Sequence, residues 1–208
     1  HTTDFAPTFL QAAGLEPLAS MTGRSLLPIF SSEKSGRIEP GLRDHIVIGK
    51  ERHVMAQEAP DTGGTPMRSI RTYDHLLIRN FRPDRWPAGT PHHKKAMIPG
   101  AWLADCDNGP TKTYMVANRE KNEEHRRKYD LAFAKRPSLE LYDLRKDPGQ
   151  LTNVAGDPAY REVSAGLQKK LEAALRERGD PRIAGQGDET FDKPKYLGGA
   201  PKYPRRKN

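Results

Sequence analysis

The chain has 208 residues, room for one domain of ordinary size, and 35% of them are hydrophobic, with 18 Gly and 18 Pro. Mean hydropathy is -0.84, which points to a modest core with a large share of loop. The net charge is +8, yet residues 193–208 hold Lys193, Lys195, Lys202, Arg205, Arg206 and Lys207 with no acid, so +6 of it lies there and +2 on the rest. That stretch reads as a solvated basic tail. No recognition helix accompanies it, which removes the nucleic-acid reading. Cys106 is the one cysteine, so no intrachain disulfide forms. No apolar run approaches the roughly 18 residues of a membrane span. The first residue is His1 and no signal peptide is visible, so the sequence is expected to be a fragment or a trimmed piece.

Residues 2–14 (TTDFAPTFLQAAG) read as a helix with Thr3 or Asp4 as cap and Pro7 in a tolerable position. Phe5 and Phe9 share a face, and Gly14 supplies a left-handed stop with Leu15 folding back. Residues 20–30 are a loop and an apolar patch, and 31–44 a polar surface loop. Ile46, Val47 and Ile48 mark a strand over 45–49 that residues 50–56 could continue. Residues 58–66 (EAPDTGGTP) form a turn region pivoting on Gly63 and Gly64. Residues 67–72 and 75–80 pair as a hairpin across Tyr73-Asp74, the first strand half-exposed by its alternation. Residues 82–113 make a long Pro/Gly-rich loop with Trp86 and Trp102, a length that is functional or disordered. Residues 114–134 suggest a charged helix with little apolar stripe. Residues 139–144 (LELYDL) alternate as another strand. Asp157 caps the best helix of the chain, with Pro158 at its first position. Tyr160, Val163, Leu167, Leu171 and Leu175 form its stripe, and Gly179 ends it. These elements make an α+β layer pair, a small antiparallel sheet with a long C-terminal helix on one face.

Glu51, Arg52 and His53 follow an apolar strand, where Arg can fork onto an anion and His can donate or act as an acid; the plain alternative is an ordinary charged strand edge. His92-His93-Lys94-Lys95 resembles a metal or anion site only by letters, since adjacent histidines diverge and no Cys or carboxylate stands at zinc spacing; an exposed basic loop is the simpler reading. Cys106 lacks an activating neighbour in sequence and reads as structural. Asp107-Asn108-Gly109 could be hard-cation ligands or a turn, and the turn is favoured.

Several phrases together resemble the sulfatase family. TDFAPTFLQAAGLEP followed by GRSLLPIF resembles the segment closing the large domain of sulfatases, through Asp4, Pro7, Thr8, Leu10, Ala13, Gly14, Gly23, Ser25, Leu26 and Pro28. MRSIRTYDHLLIRN resembles the family's Arg-x-Ile-Arg-Thr hairpin. LELYDLRKDPGQLTNVAGDP resembles its ELYDL-x-x-D-P segment, with Gln150 where Glu is commoner. ERHV, PMRSIRT and NFRPDRWPAGTP look most like heparan N-sulfatase (sulfamidase)-like enzymes. The resemblance implies a parent enzyme that hydrolyses sulfuric esters or N-sulfate on sulfated glycans such as heparan sulfate, in a periplasmic, secreted or lysosomal setting. It also implies calcium and a formylglycine made from a C/S-x-P/A-x-R motif; no such motif occurs in these 208 residues.

Under that resemblance, residues 1–30 are the last part of an otherwise missing α/β, alkaline-phosphatase-like catalytic domain. Residues 31–44 are a linker, 45–182 the C-terminal subdomain and 183–208 the basic tail. The chain alone is expected to be inactive, with no catalytic or metal residue of its own. His53 first, then Glu51 and Arg52, are expected to contact substrate, and the missing N-terminal sulfatase domain is the expected partner. The alternatives are a stand-alone polyanion-binding module using the tail and the His92–Lys95 loop, and a decayed reading frame.

Overall fold

The computed structural model describes residues 2–36, 38 and 43–194. They form two units divided between Ile46 and Val47.

In the first unit a 3-10 turn (Thr2–Asp4) runs into α1 (Phe5–Ala12), and α2 (Leu27–Phe30) follows. Asp4 stands at the N-cap position without capping α1. Its carboxylate instead accepts from the Arg24 amide at 2.8 Å and from Arg43 Nη1 at 2.9 Å. The Thr8 hydroxyl donates to Asp4 O and accepts from the Leu26 amide at 2.8 Å. A Cβ at Gly23 would lie 2.0 Å from Thr3 O, so only glycine lets the second strand of this clamp approach. The D-x-x-P-T and G-x-S-L phrases are therefore two halves of one hydrogen-bonded loop. As expected, Gly14 takes a left-handed φ of 73° and the Leu15 amide returns to Leu10 O at 2.8 Å. Phe5 and Phe9 stack with centroids 6.1 Å apart and stay exposed, as do Leu15, Leu18 and Phe30.

The second unit is built on a four-stranded sheet of β1 (His45–Lys50), β2 (Met67–Thr72), β3 (His75–Asn80) and β4 (Leu139–Asp143), in that order. Both β2–β3 and β3–β4 are antiparallel, with Ile70 opposite Leu77 and Leu77 opposite Leu141. That register puts the three on one face, where α5 (Arg161–Glu177) lays Leu171 and Leu175 over them. Tyr160, Val163 and Leu167, the rest of the expected stripe, pack around this cluster. Asp157 caps as expected, accepting from the Ala159 amide at 2.9 Å, although Pro158 opens a short 3-10 turn rather than the α-helix itself. The fold class is the α+β layer pair read from the sequence: a small antiparallel sheet with a long helix on one face.

Five expectations change. The strand ends at Lys50, and residues 51–56 are irregular. β2 is not half-exposed: Arg68, Ser69 and Ile70 are all buried, because its second face is covered too, with Leu76, Glu140 and Tyr142 buried on it. The charged helix over 114–134 is two helices, α3 (Pro110–Asn118) and α4 (Glu123–Phe133), with Asn122 capping the second by accepting from the His125 amide at 3.0 Å. The long loop is held by a second small core in which Ala88 and Leu103 meet Val116 and Phe133. Residues 183–194, grouped by the sequence with the basic tail, are tied into this unit: Ile183 packs on the main core and Asp192 pairs with two buried arginines. The remainder of the tail, 195–208, lies outside the described residues, as do 39–42 of the linker.

The ELYDL-x-x-D-P segment is a loop-shaping device. Leu141 has its amide bound by Asn153 Oδ1 at 2.9 Å and its carbonyl by the Val154 amide at 2.8 Å, which closes the open edge of β4. Asp147 Oδ2 accepts from the amides of Leu151 and Thr152 at 2.7 and 2.8 Å. Asp143 is buried and accepts from Arg145 and from Tyr160 OH. Those bonds, Arg145 first, outweigh burial and hold its carboxyl at about 2, below the ordinary 3.8.

A folded-state value below the unfolded one contributes stability that is complete above about pH 4 and is lost as pH falls through about 2. Asp143→Asn is therefore expected to make the urea midpoint fall less steeply between these limits than in the wild type; parallel curves would contradict this role. Leu171→Ala should lower stability by about 2–5 kcal/mol in the same unfolding experiment.

Candidate functional site

Glu51, Arg52 and His53 leave β1 in succession, and the structure gives them different jobs. Glu51 lies between two buried guanidinium groups, 2.7 Å from Arg68 Nη2 and 2.6 Å from Arg182 Nη2. Arg68 also meets Asp180 at 2.7 Å, and Arg182 meets Asp192 at 3.0 Å. Asp192 continues to Arg85 at 3.0 Å, and Arg85 to Asp61 at 2.8 Å. The Phe191 ring lies near both Arg182 and Arg68, at 5.3 and 6.0 Å. Burial works against the Arg182 charge, but the hydrogen bonds to Glu51 and Asp192 outweigh it and hold its proton more tightly than usual. Burial likewise opposes the Asp192 charge, and Arg182 and Arg85 overcome it and push its carboxyl down. Glu51 is thus a member of an ionic chain inside the unit.

The turn at Gly63-Gly64 is shaped by Arg85 of that chain and by Arg52. A Cβ on Gly63 would sit 2.2 Å from the Arg85 guanidinium, and one on Gly64 2.5 Å from Arg52 Cα. Arg52 donates to Thr62 O and to Pro194 O, both at 3.1 Å, so it fastens the turn to the last described residue.

His53 is different. Its side chain is 69% exposed, and its Nδ1 lies 2.7 Å from Oδ1 of Asp105, which is 8% exposed. Lys50 Nζ meets the other oxygen of that carboxylate at 3.1 Å. A nearly buried carboxylate thus orients an exposed imidazole and places a cation beside it. An imidazole donates or accepts through its ring nitrogens, so the chemistry of this pair suits polar or anionic groups. Of the three expected contacts, the structure presents His53 outward and builds Glu51 and Arg52 into the frame. Sequence reasoning missed Asp105 because ADCDNGP reads as a turn, with nothing to say that a side chain 52 positions earlier in the chain would meet it.

The other candidates fall on the plainer side. His92 and His93 do not converge: His92 meets the edge of Trp86 at 5.9 Å and His93 that of Trp102 at 6.4 Å. Cys106 is half-buried, its thiol 3.8 Å from Asp107 O. Asp107–Gly109 is the lead into α3, with Asn108 Oδ1 accepting from Lys112 at 3.1 Å.

No family model matches the chain. It is similar to two ulvan-active sulfatases of Formosa agariphila, 25% identical over 177 residues and 24% over 181. Those alignments take in 85% and 86% of this chain, which spans only 25% and 29% of the relatives' lengths. Among solved structures it resembles a 2-O GAG sulfatase, 18% identical over 87% of this chain and 26% of that one, with a TM-score of 0.49. It also resembles a phosphonate monoester hydrolase of Agrobacterium radiobacter, 21% identical over 84% of this chain and 24% of that one, with a TM-score of 0.46. The two curated relatives support the sulfatase resemblance read from the sequence.

The contrast between neighbouring residues is measurable. Glu51→Gln should cost about 3–5 kcal/mol of unfolding free energy, because it leaves charge on Arg68 and Arg182 uncompensated in the interior. His53→Gln should change it by less than about 1 kcal/mol, as an exposed pair does. Urea titrations of the two variants check this, and equal losses would remove the distinction.

Proposed function

We propose that this chain is the C-terminal part of a sulfatase, and that it lends His53, held by Asp105 and flanked by Lys50, to a substrate pocket whose catalytic centre lies elsewhere in the protein. The observation carrying the reading is the similarity to two sulfatases over 85–86% of this chain and only 25–29% of their own lengths. The substrate class is a sulfated glycan, with the sulfate on oxygen or, following ERHV, PMRSIRT and NFRPDRWPAGTP, on the nitrogen of a heparan-type sugar. An exposed imidazole beside a lysine suits a sulfate or a sugar hydroxyl. Arg68 and Arg85, prominent in those phrases, are engaged in the ionic chain, whereas His53 stands exposed beside Asp105.

The formylglycine and calcium of such an enzyme do not fit the residues present. Cys106 is followed by Asp107-Asn108-Gly109-Pro110, which is no C/S-x-P/A-x-R motif. Among the described residues no group of three His, Cys, Asp or Glu side chains could hold a metal. Both groups belong, on this reading, to the remaining part of the enzyme. The exposed Phe5, Phe9, Leu15, Leu18 and Phe30 of the first unit form the face on which that part would rest. No helix among the described residues is long and apolar enough to cross a membrane.

The purified chain with calcium should release no sulfate from N-sulfated or O-sulfated heparin disaccharides. The coding sequence upstream of His1 should carry an in-frame C/S-x-P/A-x-R motif. The enzyme extended by it should release sulfate, with kcat/KM falling about tenfold or more in His53→Ala, as for a lost charge-assisted contact. Turnover by the chain alone above its own His53→Ala control, or an upstream sequence without the motif, would overturn the proposal. In the isolated chain, Phe9→Ser with Phe30→Ser should reduce self-association in sedimentation, the outcome for a face that lacks its partner.

A further inference from the structure

The long loop 82–109 and α4 with its flanking residues form the walls of a cleft that the proposed function does not use. It has a volume of about 560 Å³ and is lined by Trp86, Trp102, Arg126, Tyr129, Phe133 and Lys135, among others. That is within the roughly 300–1,000 Å³ of small-ligand sites. A neighbouring depression of about 710 Å³ shares Trp102 and Arg119 with it as lining residues.

The walls are made of flat aromatic surfaces and cations. Trp102 is 39% exposed, and its indole is fixed in orientation by donating to Pro91 O at 2.8 Å. Lys135 Nζ stands 4.8 Å from the Trp86 ring centre. Arg119, Arg126 and Lys135 line the cleft with Asp130 as the one acid among the lining residues, and Glu120 pairs with both arginines.

The segment behind Trp102 is held in an unfavourable backbone state. Leu103 is fully buried with φ 47°, a region that leucine rarely adopts. Its amide donates to Thr90 O at 3.0 Å, and its carbonyl accepts from Lys112 Nζ at 2.9 Å. The same ammonium reaches Trp102 O at 3.3 Å and Cys106 O at 2.8 Å. A strained residue pinned from both sides presents an exposed tryptophan, which is the pattern of a ligand-holding loop rather than of filler.

We infer that this cleft binds one sulfated saccharide unit, its ring face on Trp102 and its anionic group between Arg126 and Lys135. Aromatic planes take the C–H face of a sugar ring, and the cations set a preference for an anionic sugar over a neutral one. The assignment rests on the sulfated-glycan reading above and adds a second contact region to it, remote in the chain from His53.

The chain has two tryptophans, and both line this cleft, so its intrinsic fluorescence reports occupancy directly. The full chain is titrated with a heparin tetrasaccharide and, separately, with the fully desulfated tetrasaccharide. A saturable change is expected with the first and a response at least about tenfold weaker with the second. Arg126→Gln with Lys135→Gln should weaken binding by about tenfold or more, and Trp102→Ala comparably, while Trp102→Phe keeps an aromatic plane and should stay within about threefold of wild type. Arg205→Gln, Arg206→Gln and Lys207→Gln together should leave the affinity unchanged. Far-ultraviolet circular dichroism establishes that each variant is folded. No fluorescence response at saturating heparin tetrasaccharide, equal response to the desulfated sugar, or loss of binding with the tail substitutions and not with Arg126 and Lys135 would each overturn the inference. The titration needs no hydrolysis, so it can fail while sulfate release by the extended enzyme succeeds, and the reverse.

Discussion

The second unit hangs on a run of alternating charges: Asp180, Arg68, Glu51, Arg182, Asp192, Arg85, Asp61. Its three arginines are buried, and each is neutralised by two of these carboxylates. Such a run contributes little net stability, because desolvating the ions offsets most of their attraction. What it contributes is position. Any shift of one segment would strand a charge in the interior, at a cost of several kcal/mol, so the segments that supply the charges can meet in one way only. Those segments are the end of β1, β2, the Gly63-Gly64 turn, the start of the long loop, the end of α5 and the stretch to Asp192. The hydrophobic cluster under α5 holds sheet to helix. The ionic chain holds the six named segments to one another, and the second small core holds α3, α4 and the rest of the long loop.

This explains why the recognisable phrases are what they are. In Arg-x-Ile-Arg-Thr, Arg68 joins the ionic chain, Ile70 enters the core, and the Thr72 hydroxyl accepts from the amides of Asp74 and His75 to close the hairpin. In ELYDL-x-x-D-P, Asp143 and Asp147 organise the loop into α5 while Asn153 blocks the edge of β4. In the first unit Asp4, Thr8 and Gly23 lock a helix to a loop. Every one of these residues is accounted for by scaffold. Residues kept for scaffold identify a relationship and say little about which substrate is used.

The elements with local signals were legible: the Asp157–Pro158 start, the α5 stripe, the hairpin and the Gly14 and Gly179 stops each depend on neighbours a few positions away. What escaped depends on distant partners. The burial of Arg68 requires Glu51 and Asp180, and Asp180 lies 112 positions away. The fold of residues 82–109 requires Val116 and Phe133 from helices that show too little stripe to be recognised as a wall. The candidate site shares this division. Glu51, Arg52 and His53 were visible as a polar run after an apolar strand, but their separate roles were not, since a salt bridge across 131 positions and an exposed ring look alike in sequence.

The adjacency of Glu51 and His53 then acquires a physical sense. Glu51 is fixed by two guanidinium groups, and Arg52 is fastened to Thr62 and Pro194, so the backbone that carries His53 has little freedom. Asp105 fixes the ring from the other side, on the segment that also contains Trp102, Leu103 and Cys106, all three of whose carbonyls accept from Lys112. A side chain on an irregular stretch is thereby held about as firmly as one on a strand, because its neighbours in sequence are held ions and its neighbour in space is a buried carboxylate. The polar cost of the interior and the outward placement of His53 come from the same set of contacts.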